Sequence, residues 1–173
     1  MVPTDPPAPE GEPTLSHVES GPEGPRSRMV DVGSKAESAR EAVAEACVVF
    51  PPGLRQRALA GEGPKGPVME VARVAGILAA KRTGELIPMC HPLALDHVEI
   101  AFEALEGEPE RLRITCRTRC QGRTGVEMEA MTGAAVAALT VYDMTKALAH
   151  GIRVEGLRLL SKKGGKSGVW TAS

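Results

Sequence analysis

Asp143 and Lys146 lie three residues apart inside a stretch, Ala130 to Ala149, whose other residues carry no charge. On a helix that spacing puts one carboxylate and one ammonium on the same face. Charges on an apolar element are costly unless they pair, sit in a solvated cleft, or move protons. The spacing leaves a plain ion pair and an acid/base pair equally open, so the rest of the chain has to decide between them.

Three further groups could do chemistry. Cys90 and His91 are adjacent, with His97 nearby, but no second Cys or His pair exists to complete a structural metal site, so no metal is expected. Held between Pro88 and Pro92, His91 is left open as either a rigidly placed hydrogen-bonding or acid/base group or an ordinary packing residue. Lys35, Arg40, Lys65 in its glycine-flanked loop, and Lys146 form a basic set suited to a polyphosphate. Glu129, two residues after Glu127, could accept hydrogen bonds from the amide and amine edge of a guanine-like ring. The run Gly164-Gly165-Lys166-Ser167-Gly168 imitates a phosphate loop, but the Walker spacing needs a glycine where Leu160 stands. A plain flexible loop is the leading expectation for it, and its glycines, with Lys162, Lys163 and Lys166, keep the weaker option of placing amides and charge near an anion.

Distance constrains these groups. On an unbroken helix Glu129 and Asp143 are separated by about 21 Å at ~1.5 Å per residue. Either the two grip opposite ends of a long ligand, or a two-fold dimer lays antiparallel helices together and builds the site from two chains.

Several elements must position them. Ser34 and Glu37 match a capping box, predicting a first helix from there to about Val49 that carries Lys35 and Arg40. A short helix is expected over Leu54 to Ala60, and a third from Pro67 to about Arg82 with small residues suited to close packing. Two prolines make Leu86 to Leu93 an ordered irregular segment. Alternation in Val98, Ile100, Phe102 and Ala104, and again in Leu112, Ile114, Cys116 and Cys120, predicts a hairpin around Gly107-Glu108-Pro109, with Glu99 and Glu103 paired to the outward arginines. Thr124 and Glu127 suggest a second capping box opening the long, buried helix of Asp143 and Lys146. A last strand runs from Ile152 to Ser161 with a bulge at Gly156. The order predicts an α+β layer sandwich, a largely antiparallel sheet with helices packed on one face.

The 173 residues suit one domain. Residues 1–28 hold seven of the fourteen prolines and are expected to be a disordered tail ahead of a single domain over 29–173. With 21 Lys plus Arg against 22 Asp plus Glu, no charge excess recommends nucleic acid or membrane. The arginine strand has no aromatics to stack bases, which argues against an RNA-binding sheet. Four irregularly spaced cysteines and the absence of a signal-peptide pattern point to a cytoplasmic protein.

Together these segments resemble the cyclic pyranopterin monophosphate synthases of molybdenum cofactor biosynthesis, the MoaC family. The likeness covers Met29 to about Gly168: Met-Val-Asp-Val at 29–32 with Lys35 and Arg40, Ala72-Arg73-Val74-Ala75-Gly76-Ile77 with Ala79-Ala80-Lys81-Arg82-Thr83, Leu86 to Leu93, Gly125 to Ala130, Val141-Tyr142-Asp143-Met144 with Lys146, and Gly164 to Gly168. Thr145 stands where the family often has Cys, and Met89 where Leu is usual. The resemblance implies a ferredoxin-like fold and a homohexamer, a trimer of dimers with active sites between subunits. It implies a lyase that converts (8S)-3',8-cyclo-7,8-dihydroguanosine 5'-triphosphate, made by a radical-SAM GTP 3',8-cyclase, into cyclic pyranopterin monophosphate and diphosphate. Asp143 and Lys146 would be the acid/base pair. Lys65, His91 and Arg40, with Lys35, would hold the triphosphate and stabilise the departing charge, while Met89, Cys90, His91, Met128 and Glu129, with Glu127 beside them, would bind base and sugar. No cofactor is implied, and Mg²⁺ would enter only as an escort of the triphosphate. The rival expectation is a non-catalytic nucleotide-binding oligomeric module, which needs the cations but not Asp143.

Overall fold

The computed structural model describes residues 18–60, 66–166 and 168–173. Its strands are β1 (Val18–Gly21), β2 (Gly24–Ser27), β3 (Ser38–Val49), β4 (His97–Ala104), β5 (Arg111–Gly122), β6 (Arg153–Lys163) and β7 (Val169–Thr171). Its helices are α1 (Leu54–Leu59), α2 (Val68–Lys81), α3 (Thr83–Leu86) and α4 (Glu127–Thr145). β1 and β2 form a separate antiparallel hairpin. It falls in the segment expected to be a disordered tail, of which residues 1–17 lie outside the described residues. The other five strands form one antiparallel sheet in the order β4-β5-β3-β6-β7, with α2 and α4 on one face. Apart from the added β7, the β3-α2-β4 and β5-α4-β6 units interleave as a split βαβ, the ferredoxin-like arrangement.

The first predicted helix is wrong. Residues 38–49 are the central strand β3, and Ser34 to Glu37 lie before it. Alanine favours helix when nothing else decides. Here Ala42, Ala44, Ala46 and Val48 alternate into the core, and their small side chains let α4 lie close over the middle of the sheet. The opposite face is a lattice of charge: Glu45, only 8% exposed, lies 3.0 Å from Arg113 and 2.7 Å from Arg158. Arg117 reaches Glu41 at 2.9 Å and Glu99 at 4.0 Å, while Arg113 reaches Glu103 at 3.3 Å, so the expected pairing of strand acids with arginines is present.

The hairpin and the third helix fall where the alternation and the periodicity put them. α2 crosses α4 at Gly76 and Gly133: a Cβ on Gly76 would meet the Gly133 carbonyl oxygen and Ile100 Cδ1 at 2.9 Å. Ile100, Leu112, Ile114 and Val141 fill the space beneath, each almost fully buried. In β6, Gly156 has φ +66 and the pairing with β3 slips nearby, which is the expected bulge. The second capping box does not form. Val126 is the N-cap of α4, no side chain caps it, and Glu127 pairs with Lys162 at 3.0 Å instead. Nor is α4 buried all round, since Met128, Leu139 and Tyr142 are exposed. Among the described residues no helix is long and apolar enough to cross a membrane.

Candidate functional site

Two motifs far apart in sequence meet at the N-terminal end of α4. His91 Nε2 lies 2.8 Å from the Val30 carbonyl oxygen, which can only accept, so Nε2 carries the proton and, in the neutral ring, Nδ1 is left to accept. That contact ties the Met29–Val32 segment to the proline-bounded loop. Thr118, fully buried on β5, donates to the Val126 carbonyl at 3.0 Å and fixes the start of α4. Between these elements opens a pocket of about 340 Å³ that brings together Lys35, Met89, Cys90, His91, Glu127, Met128 and Glu129. Seven of the sequence-predicted site residues therefore share one cavity.

Its floor is unusual. Glu129 is 4% exposed, and burial pushes its carboxyl up to about 7, against the lowering effect of its own backbone amide; the Glu127 charge adds to the rise. Burial, and then the Glu129 charge, raise the Cys90 thiol. Glu127, two residues earlier, has Lys162 as its counter-ion. The pocket thus offers one carboxyl able to change protonation near neutrality and one paired with a lysine, with apolar Met89 and Met128 beside them.

A groove of about 820 Å³ adjoins it, sharing Lys35, Thr124, Gly125 and Glu127. Arg40, Arg123, Lys162, Lys163 and Lys166 line this groove against Glu37 and Glu41. Arg40 projects from β3, not from a helix, and donates from Nε to the Gly122 carbonyl at 3.3 Å. The Gly164–Gly165 turn folds against it: Gly164 has φ +106 where a Cβ would overlap the Ala39 carbonyl, and a Cβ on Gly165 would overlap the Arg40 guanidinium. These glycines let backbone pass over an arginine, a different use from a phosphate loop. Sequence reasoning missed Arg123 and gave Lys162 only a weak role. The signal for Lys162 was the lysine cluster beside the glycines, but its partnership with Glu127 depends on the slipped register of β6. Lys65 lies outside the described residues.

Asp143 and Lys146 are elsewhere. They pair at 2.8 Å on the outer face of α4 at its C-terminal end, each side chain 54% exposed, and the hydrogen bond that Lys146 donates to Asp143, then the Asp143 charge, raises the Lys146 ammonium. Thr145, beside them in sequence, points inward and donates to the Val141 carbonyl at 2.6 Å, so its difference from the common Cys touches nothing at the pair. Because α4 is one continuous helix, the pair sits roughly 21 Å from Glu129 along its axis. Among the described residues no cluster of three or more His, Cys, Asp or Glu is placed to hold a metal ion.

Fold and site define a ferredoxin-like α+β protein with a base-sized pocket opening onto a cationic groove, and an exposed carboxylate–ammonium pair at the far end of the same helix. The chain belongs to the MoaC family, whose model matches residues 29–165. It is 51% identical over 156 residues to a protein of Chloroflexus aggregans named cyclic pyranopterin monophosphate synthase, covering 90% of this chain and 92% of that one. Proteins of the same name from Chloroflexus aurantiacus and Novosphingobium aromaticivorans are 49% and 48% identical, covering 90% and 92% of this chain and 93% and 98% of their own lengths.

Proposed function

We propose that this chain is a cyclic pyranopterin monophosphate synthase, a lyase that rearranges the cyclised dihydro-GTP and releases diphosphate, and that it works in the cytoplasm as an oligomer with sites shared between subunits. The carrying observation is the outer face of α4. Met128, Thr132, Ala135, Leu139, Tyr142 and Lys146 recur at alternating steps of four and three, the seam of a paired helix, and the large apolar members are exposed. Glu129 and Asp143 are equidistant from Val136. An antiparallel copy crossing there, where Ala135 allows close approach, brings the Asp143 and Lys146 of one subunit to the Glu129 pocket of the other. The pocket and the pair then form one site, and two such sites form per dimer. Assembly of three dimers into a hexamer extends the same reading, and four free cysteines accord with a reducing compartment.

Each part then has work. Met89, Met128 and Glu129 receive the purine, whose edge finds Glu129 able to donate or accept. Lys35, Arg40 and Lys162 receive the triphosphate, and likeness to the family assigns Lys65 the same role. A substrate hydroxyl oxygen attacks the α-phosphorus, the bond to the β-phosphate oxygen breaks, and these cations stabilise the charge on the departing diphosphate. Lys146, held protonated by Asp143, donates to the rearranging ring, and Asp143 takes up protons the ring sheds. His91, fixed by Val30, can accept through Nδ1.

Purified protein given the cyclised dihydro-GTP tests this through diphosphate release. Wild type should release it stoichiometrically with pterin, and Asp143→Asn and Lys146→Ala should each lose about 10²-fold or more in kcat. No release by wild type overturns the reaction and leaves a nucleotide-binding module, and full activity in a folded Asp143→Asn oligomer overturns the assignment.

A further inference from the structure

On the outer face of the sheet, one row of side chains crosses four strands. His97 of β4 stands opposite Arg119 of β5, Arg119 opposite Glu41 of β3, and Glu41 opposite Lys163 of β6. With strands about 4.8 Å apart, Arg119 and Lys163 flank Glu41 at roughly 10 Å between backbones, a span their long side chains close over a small polyanion. They border a depression of about 360 Å³. Its carboxylates are engaged already: Glu41 accepts from Arg117 at 2.9 Å and Asp96 accepts the Gln121 amide at 2.9 Å. Arg119 and Lys163 are exposed and make no ion pair with a described residue. The depression also continues the cationic groove, because Arg40, Glu41 and Lys163 line both.

We infer that this depression is a second anion site, and that it takes the diphosphate leaving group as it departs from Arg40 toward Arg119 and Lys163. The inference rests on the proposed reaction as the source of the anion. A product carrying several negative charges leaves a composite site slowly unless successive cations share it along the way. Glu41 between the two cations keeps the affinity low, which suits a point of departure better than a point of storage.

Binding of inorganic diphosphate to the purified, full-length oligomer, measured by calorimetry at low salt, tests the inference with Arg119→Gln and Lys163→Gln. Both side chains are exposed, so both variants should fold as wild type. The expected result is diphosphate binding weakened about threefold to tenfold in each, as the loss of one charge-assisted contact at a solvated site predicts, with GTP binding unchanged in Arg119→Gln, whose side chain lies outside the triphosphate groove. Inorganic phosphate should bind wild type more weakly than diphosphate. Unchanged diphosphate affinity in both variants, or phosphate bound as tightly as diphosphate, overturns the site. If wild type binds diphosphate here but releases none from the cyclised nucleotide, the proposed reaction fails while the anion site stands.

Discussion

Replacing Glu129 with Gln should change the pH dependence of stability in a direction fixed by where its carboxyl is buried. Below pH 4.5 a glutamate is protonated in folded and unfolded chains alike. Between 4.5 and about 7 the unfolded chain gives up that proton while the folded chain keeps it, so each rise in pH favours unfolding. Above about 7 both are ionised and the cost of burying the charge is complete. At ~1.36 kcal/mol per tenfold change in proton affinity, moving the carboxyl from an ordinary 4.5 to about 7 is worth about 3 kcal/mol, an upper figure because the pocket admits water. Glutamine has nearly the shape of the neutral acid and never ionises. Urea unfolding of both proteins at pH 5, 6, 7 and 8, at one fixed protein concentration, should give nearly equal stability at pH 5. At pH 8 the variant should be more stable by up to about 3 kcal/mol, or ~6–12 °C in Tm for a chain of this size. Parallel curves across that range would falsify the idea that Glu129 carries a proton in the folded pocket near neutrality.

Two other substitutions probe the frame and the helix face. Gly76→Ala gains helix propensity but drives a methyl against the Gly133 carbonyl and Ile100, and should lower stability by about 1–3 kcal/mol in thermal melts. Leu139→Glu leaves the core untouched, since Leu139 is 56% exposed, and should yield a folded protein with normal circular dichroism that elutes as a smaller species and loses turnover.

Much of the site could be read from sequence because its parts are local. The proline-bounded Pro88 to Pro92 loop and the length of α4 are each set by neighbouring residues, and that length yields the separation of Glu129 from Asp143. β3 was obscured because Ala-rich sequence after Ser34 satisfies helix propensity. The period-two signal in Ala42, Ala44, Ala46 and Val48 became decisive only once arginines from β5 and β6 covered Glu45. Glu127 was read as a cap for the same reason: its partner, Lys162, arrives through sheet register that no local pattern encodes. The α3 turn and the three-residue β7 edge strand are too short to carry a periodic signal of their own.

The central claim is that one site is made by two chains, and subunit mixing tests it most directly. Asp143→Asn damages the pair at one end of α4, and Arg40→Ala the groove at the other, so each pure variant should be inactive. Co-refolded in equal amounts, the two should regain about a quarter of wild-type diphosphate release, because half the dimers are mixed and each mixed dimer holds one undamaged site. A mixture as inactive as its parts, with mixed dimers demonstrated by differential tagging, would place the whole site within a single chain and contradict the account.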